Sequence, residues 1–234
     1  MIKGKIYLIP IPIAEDTLTV IPEQVIQTLK SLEHFLVEDI RTARRYLSSL
    51  KIFESIESLH FQVLNKDTKE SSLHELLKPL EEGKNIGIIS ESGCPGVADP
   101  GALAAKYAHQ NNIVVVPLVG PSSILLALMA SGLNGQHFAF HGYLPVEAKE
   151  AALKIKEFER ESKTKNQTQI FIETPYRNNS LFDHFIKTLH PETLLTVAID
   201  ITGKGELIKT RKIIQWKNEK TEWPKTPAVF LFLA

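Results

Sequence analysis

Residues Ser90 to Gly101 read S-E-S-G-C-P-G-V-A-D-P-G, and the segments flanking them decide the fold. Upstream, Ile86 to Ile89 is short, rich in β-branched residues and preceded by Gly83, the pattern of a buried strand. Downstream, Asp99-Pro100 has the form of a helix start, with Asp as N-cap and Pro in the first helical position. The helix then runs to about Gln110. A strand that empties into a Gly/Pro-rich loop and feeds a helix is where open α/β sheets bind ligands. With so little side-chain bulk, a ligand can lie against bare main chain. A tight βα connection with no ligand explains the composition of this loop equally well; its neighbours favour the first reading.

Working back towards the N-terminus, Ser72-Leu73-His74-Glu75 has the form of a capping box opening a helix with Leu76, Leu77 and Leu80. The stretch from Phe53 to Asn65 is compatible with an edge strand. Ala43, Leu47 and Leu50 mark a helix that begins with Arg41, Arg44 and Arg45. Basic residues at a helix N-terminus oppose the helix dipole, so they serve either ion pairs with Glu38 and Asp39 or a function. Phe35 to Val37 is a strand candidate, Val25, Ile26, Leu29 and Leu32 make the apolar face of a helix after Pro22, and Lys5 to Ile9 is a first strand stopped by Pro10 and Pro12. Ile113 to Val116 is all apolar, as expected of a strand covered on both faces. The first ~117 residues therefore alternate strand and helix, which implies a parallel sheet with right-handed crossovers.

Beyond Pro117 the pattern changes. Pro117 to Ser123 reads as a hinge, dividing the chain into domains 1–118 and 119–234. It delivers Ser122 and Ser123 to the start of a helix over Ile124–Ser131 that Gly132 closes. Strands are expected at Phe138–Phe140, Gln169–Ile172, Leu194–Ile201, Ile208–Trp216 and Val229–Leu233. Glu147–Lys165 is an exposed amphipathic helix, and Leu181, Phe182, Phe185, Ile186 and Leu189 lie at helical spacing. Phe182, Phe185 and Trp216 are read as core.

The chain has 234 residues, 27 Lys+Arg against 27 Asp+Glu, and 43% hydrophobic residues. Zero net charge argues against holding nucleic acid by bulk charge and leaves local patches open. A single cysteine, Cys94, excludes an internal disulfide and suits a reducing compartment. The opening M-I-K-G-K-I-Y-L-I-P-I-P is not a signal peptide, and no apolar run approaches the ~18 residues of a membrane span. A cytoplasmic protein is expected. No Gly-x-Gly-x-x-Gly or P-loop pattern occurs. His137 and His141 can share a strand face but have no third ligand nearby for zinc.

Five pieces now stand in order: strand then Pro10-Ile11-Pro12-Ile13, strand then Glu38-Asp39-Ile40-Arg41, the Ser90–Gly101 loop, Gly120-Pro121-Ser122, and Glu173-Thr174-Pro175-Tyr176-Arg177. Together they resemble the S-adenosylmethionine-dependent methyltransferases of the tetrapyrrole methylase superfamily. The chain is most similar to the branch that methylates a cytidine ribose 2′-hydroxyl in 16S ribosomal RNA. The resemblance implies two α/β domains, the first with a mostly parallel sheet and the second with a mixed one, a cofactor cleft between them, and a homodimer. It implies S-adenosylmethionine lined by Pro12, Glu91, Cys94, Val97, Ser122 and Ser123, with Thr174, Pro227 and Ala228 from the second domain. Three stretches depart from the branch: Pro12-Ile13 is followed by Ala14-Glu15 rather than Gly-Asn, Glu91-Ser92-Gly93-Cys94-Pro95 replaces Asp-Ala-Gly-Thr-Pro, and Ile199 to Lys204 replaces an Arg-Glu-Leu-Thr-Lys run.

Methyl transfer to a hydroxyl needs positioning, a proton acceptor or a polarising cation, and exclusion of water. Glu38, Asp39, Arg41 and Arg177 are the candidates, and the two arginines suit bidentate phosphate contacts. A small-molecule acceptor such as a tetrapyrrole, or a non-catalytic cofactor-binding module in ribosome assembly, are the alternatives to a ribosomal RNA substrate. Cys94, in a small-residue loop, is read as packing rather than as a nucleophile.

Overall fold

The computed structural model describes residues 3–15, 17–219 and 221–234, in two compact units, Met1–Ser122 and Ser123–Ala234. Each carries its own five-stranded sheet.

In unit 1 the order of elements is β1 (Ile6–Ile9), α1 (Glu23–Leu29), β2 (His34–Val37), α2 (Ile40–Ser49), β3 (His60–Val63), α3 (Leu73–Leu76), β4 (Ile86–Ile89), α4 (Gly101–Gln110) and β5 (Val115–Pro117). The strands are all parallel in the order β3-β2-β4-β1-β5. Alternate side chains along each strand enter opposite cores. Ile9, Phe35, Val37 and Ile89 meet Val25 and Leu29 of α1 and Ala43 and Leu47 of α2. Ile6, Leu36, Ile86 and Ile88 meet Leu73 of α3 and Ala104 and Ala108 of α4. Each fully buried Val, Leu, Ile or Phe side chain among them stabilises the unit by roughly 1.5–3 kcal/mol, and each alanine by less.

The placement of the helices follows from the strand order. The chain moves outward from β1 to β2 and β3, returns to insert β4 between β2 and β1, and passes over to β5. Right-handed crossovers put the outward helices α1 and α2 on one face and the returning helices α3 and α4 on the other. The adjacent strands β1 and β4 therefore send their connections to opposite faces. A crevice opens at the carboxyl ends of such a pair.

Several local expectations are corrected. The Ser72 capping box does not form: Ser72 makes no side-chain cap and α3 is a single turn set between 3₁₀ turns. Helix α4 begins at Gly101 rather than Pro100, because the Asp99 carboxylate reaches back to the Gly96 N–H as well as forward to Gly101. The strand expected at Ile113–Val116 is an edge strand at Val115–Pro117, and Val114 is exposed. The Phe53–Asn65 stretch does supply the other edge, as β3.

Unit 2 contains α5 (Ser123–Ser131), β6 (Phe138–Phe140), α6 (Ala148–Lys165), β7 (Thr168–Glu173), α7 (Asn178–Thr188), β8 (Leu194–Ile199), β9 (Leu207–Lys212), α8 (Ile213–Lys217) and β10 (Ala228–Leu233). Its sheet is mixed, in the order β6-β7-β10-β8-β9: β6 runs parallel to β7, and the other pairs are antiparallel. One face packs an aromatic core in which Phe182, Trp216 and Trp223 meet edge to face. The Trp216 indole N–H donates to the Leu195 carbonyl at 2.9 Å, so the ring is buried without an unpaired donor. The other face holds Ala127 and Leu128 of α5 against Ile170, Ala198, Val229 and Leu231. The strand expected to reach Trp216 stops at Lys212: Ile213 and Trp216, three apart, point into the same core from a helical turn.

Candidate functional site

Five loops leave the carboxyl edge of the parallel unit 1 sheet, and specific contacts tie four of them together. After β1, the Ile11 N–H donates to the Gly93 carbonyl at 2.9 Å, a one-pair bridge between the β1 and β4 loops at the crevice strands. After β2, the Glu38 carboxylate accepts the main-chain N–H of Glu91 at 2.9 Å. After β5, Gly120 lies so close to Pro10 that a Cβ in its place would collide with the proline ring. The Cys94 thiol donates to the Pro121 carbonyl at 3.3 Å. The Ser90–Gly101 bend is thus held from three sides.

The bend is shaped by backbone conformations that favour glycine. Gly93 and Gly96 have φ of 68° and 88°, and Ala98 is also left-handed at 62°. A Cβ on Gly93 would lie 3.4 Å from the Pro121 carbonyl and 4.0 Å from the Ile13 side chain. A small cradle therefore sits between the loops after β1 and β5. Both Asp99 oxygens accept from the Gly96 N–H at 2.9 Å, and one accepts from Gly101 at 2.6 Å. Burial raises the Asp99 carboxyl above its ordinary range even against these donors. Burial likewise raises Glu38; the Glu91 amide opposes this, and the Asp99 and Glu91 charges add to it. No Lys or Arg occurs between Ser90 and Gly101, so the edge is acidic and lined by main chain.

The sequence candidates separate here. Glu38, Glu91, Cys94 and Pro12 belong to these tied loops or adjoin their contacts. Val97 is half-exposed on the bend, and Ser122 follows Pro121 in the loop after β5. Asp39 caps α2: its carboxylate accepts the Thr42 N–H at 2.7 Å, and that donor holds its carboxyl below the usual range. Arg41 is exposed on the first turn of α2. Among the described residues no ion pair joins Arg41, Arg44 or Arg45 to Glu38 or Asp39, which removes the pairing explanation for their position. Burial raises the Cys94 thiol, the reverse of what a nucleophile needs.

In unit 2 the sheet register pairs Ala228 with both Glu173 and Ile199, so Thr174, Pro227 and Asp200 share one edge. The Asp200 N–H donates to the Pro227 carbonyl at 3.1 Å. Arg177 points back: its guanidinium lies 3.3 Å from the Glu173 Oε2, and the Glu173 side chain is fully buried. That geometry is an ion pair without a well-formed hydrogen bond, and Oε2 has no donor. Glu173 Oε1 accepts from the Thr174 N–H at 2.7 Å. Ser123 is the first residue of α5. The Asp200–Lys204 run is a tight turn in which the Asp200 carboxylate accepts the Gly205 N–H at 2.8 Å.

Reasoning from the sequence missed Asp99 as the brace of the bend and Gly120 as a point of close approach. The Asp99-Pro100-Gly101 run, in which an Asp side chain accepts the N–H two residues on, was the available signal for the first. Nothing local marks the second, since Pro10 is 110 residues away. His137 and His141 are engaged by Lys165, Gln167 and Gln169, and no metal-holding cluster occurs among the described residues. No described helix is long and apolar enough to cross a membrane.

Comparison with known proteins agrees with this geometry. No protein-family model matches the chain. The chain is 34% identical to ribosomal RNA small subunit methyltransferase I of Bacillus subtilis (strain 168) over 219 residues, covering 92% of this chain and 71% of that protein. It is 27% identical to the protein of the same name from Escherichia coli O157:H7, covering 93% and 73%. Solved structures of the methyltransferase CobJ and of uroporphyrin-III-C-methyltransferase from Thermus thermophilus match with TM-scores of 0.64 and 0.57. They are 15% and 17% identical, cover 98% of this chain, and span 94% and 92% of their own. At those identities they speak for the fold.

Proposed function

The chain belongs to the family of ribosomal RNA small subunit methyltransferase I, and from that premise we propose that it methylates small-subunit ribosomal RNA, using S-adenosylmethionine, at a cytidine ribose 2′-oxygen. The single observation that carries the cofactor reading is the tied bend at the β1/β4 crevice. Its chemistry fits the donor: Glu38, Glu91 and Asp99 suit a positive sulfonium and ribose hydroxyls, and would repel a polyphosphate. At Gly93 the main chain is bare, and a side chain there would meet Pro121 and Ile13 and cover the backbone proposed to face the ligand.

When bound, S-adenosylmethionine supplies an electrophilic methyl group on a charged sulfur. Pro12, Glu91, Cys94, Val97 and Ser122 of unit 1, and Ser123, Thr174, Pro227 and Ala228 of unit 2, are the residues proposed to hold it. Glu38 is the proposed proton acceptor for the attacking hydroxyl. Its raised carboxyl makes it a stronger base than an ordinary glutamate, and the Glu91 N–H fixes one oxygen. Asp39, committed to capping α2, is the weaker candidate. Arg41 is proposed to position a phosphate, and Arg177 to do so only with what its pairing to Glu173 leaves over. The enzyme is proposed to work in the cytoplasm as a homodimer.

The test is transfer of labelled methyl from S-adenosylmethionine to small subunits isolated from a strain that lacks the modification. Label recovered as 2′-O-methylcytidine supports the reading. Label on a porphyrinogen but not on RNA would move the acceptor to the tetrapyrrole class, and cofactor binding with no transfer to either would leave a non-catalytic module.

A further inference from the structure

Helix α2 carries Arg41, Arg44 and Arg45, Lys51 follows its end, and no acidic residue lies between Ile40 and Lys51. At 3.6 residues and 5.4 Å per turn, Arg41 and Arg44 fall in one row with Arg45 beside it, so three cations cluster within about 6 Å of helix rise, and Lys51 adds a fourth about 9 Å further on, past the helix end. All four basic side chains are exposed. Among the described residues none of them sits in an ion pair; Asp39 and Glu57 act on Arg41 and Arg44 only as nearby charges. Like charges three and four apart, at the end of a helix where the dipole is positive, oppose helix formation. The nearby Asp39 and Glu57 charges and the Arg44–Phe61 contact leave all four cations exposed and outside any ion pair, which a polyanionic partner outside the fold explains.

Two hollows flank this line and share Arg44. One, of about 480 Å³, is lined by Arg44, Arg45, Ser48 and Lys51 together with the Phe53–Glu57 segment. Its two carboxylates are Glu54 and Glu57, and the Ser55 hydroxyl donates to Glu57 at 2.6 Å. The other, of about 470 Å³, lies at edge strand β3 and is lined by His34, His60, Phe61 and Gln62. Here the His34 and His60 rings stack at 4.8 Å, and the Arg44 guanidinium lies over Phe61 at 5.3 Å. Spaced cations suit a chain of phosphates more than a single anion. Planar rings with an amide and a guanidinium suit an unstacked base.

We propose that this face of unit 1 holds ribosomal RNA flanking the nucleotide being modified, with phosphodiesters along Arg41, Arg44, Arg45 and Lys51 from the carboxyl edge of the sheet towards its amino edge, where a splayed base enters the ring-lined hollow at the starts of β2 and β3. The inference rests on the RNA reading of the site and adds where on the chain the RNA is gripped. It reconciles a chain of zero net charge with a polyanionic substrate, because α2 carries three arginines and no carboxylate.

The experiment measures the affinity of deproteinised 16S ribosomal RNA as a function of salt for the wild type and for the triple variant Arg44→Gln/Arg45→Gln/Lys51→Asn. Asparagine is chosen because Lys51 has φ of 54°. Each lost phosphate contact lowers the log–log salt slope by about 0.7–0.9, so a fall of about two to three is expected. His60→Ala should weaken binding about tenfold at every salt concentration with the slope unchanged. S-adenosylhomocysteine affinity, measured in parallel, should be that of the wild type in both variants. A wild-type slope in a triple variant that still binds S-adenosylhomocysteine would overturn the inference, as would polyglutamate binding as tightly as RNA through the same cations. Failure of the wild type itself to bind S-adenosylhomocysteine would instead count against the underlying methyltransferase reading.

Discussion

The main-chain N–H of Glu91 donates to the Glu38 carboxylate across 2.9 Å, joining the loops after β4 and β2 at the carboxyl edge of the unit 1 sheet. This one contact fixes a carboxylate made more basic by burial beside the bend proposed to hold the methyl donor. It also partly compensates that carboxylate for burial.

Glu38→Gln separates these roles. The Glu38 carboxyl is raised in the fold, chiefly by burial, so the folded chain binds its proton more tightly than the unfolded chain. The stability it contributes is complete below the ordinary carboxylate range and is lost as pH rises through the raised value. Glutamine keeps an acceptor for the Glu91 N–H and carries no charge. Relative to wild type, the variant should therefore gain in urea midpoint between about pH 4 and pH 7. Its methyl transfer should fall by about 100-fold or more. A drop in midpoint at neutral pH would show that the charge stabilises the bend.

Asp99→Ala should loosen the bend itself. Three N–H···O contacts to Gly96 and Gly101 vanish, and leaving such donors half-buried costs about 1–3 kcal/mol. Asp99→Asn retains one acceptor oxygen and should lose less. Urea titration gives the ordering, and S-adenosylmethionine calorimetry should show weaker binding for the alanine variant.

Gly120→Ala drives a methyl group into the Pro10 ring and should lower stability by about 1–3 kcal/mol, the usual cost of overpacking. Gly135→Ala is the control, since nothing lies within 4 Å of its added Cβ; it should change stability by less than about 0.5 kcal/mol. Equal effects on denaturant midpoint would remove the close approach from the account.

How far the sequence reveals this fold depends on the range of the interaction. The strands at Ile6, Phe35 and Ile86 were legible because period, length and flanking turn residues all act within a few positions. The bend was legible as a loop for the same reason; its proposed place at the cofactor comes from the family resemblance. The crossing from Pro10 to Gly120 was not, because sheet order alone brings those residues together. The Ser72 capping box failed because a favourable tetrapeptide does not lengthen a helix whose turn is already spent packing Leu73 and Leu77. Ile213 and Trp216 were misassigned because a short apolar run suits a strand or a buried helical turn alike.

Arg177→Ala should destabilise unit 2 by about 2–4 kcal/mol, because it leaves the buried Glu173 carboxylate without its counter-charge. The double variant Arg177→Ala/Glu173→Gln should recover most of that loss. Methyl transfer measured on the restored protein then decides the role of Arg177. Wild-type rates would make it purely structural, and a persisting defect in KM for RNA would place it on a phosphate.

Hydrogen–deuterium exchange with and without S-adenosylhomocysteine tests the central claim most directly. Binding at the β1/β4 crevice predicts slowed exchange at Ile11–Ile13, Glu91–Val97 and Val119–Ser122 of unit 1. Saturating ligand that left those amides unchanged, or protected only the His34–Gln62 edge of the sheet, would contradict it.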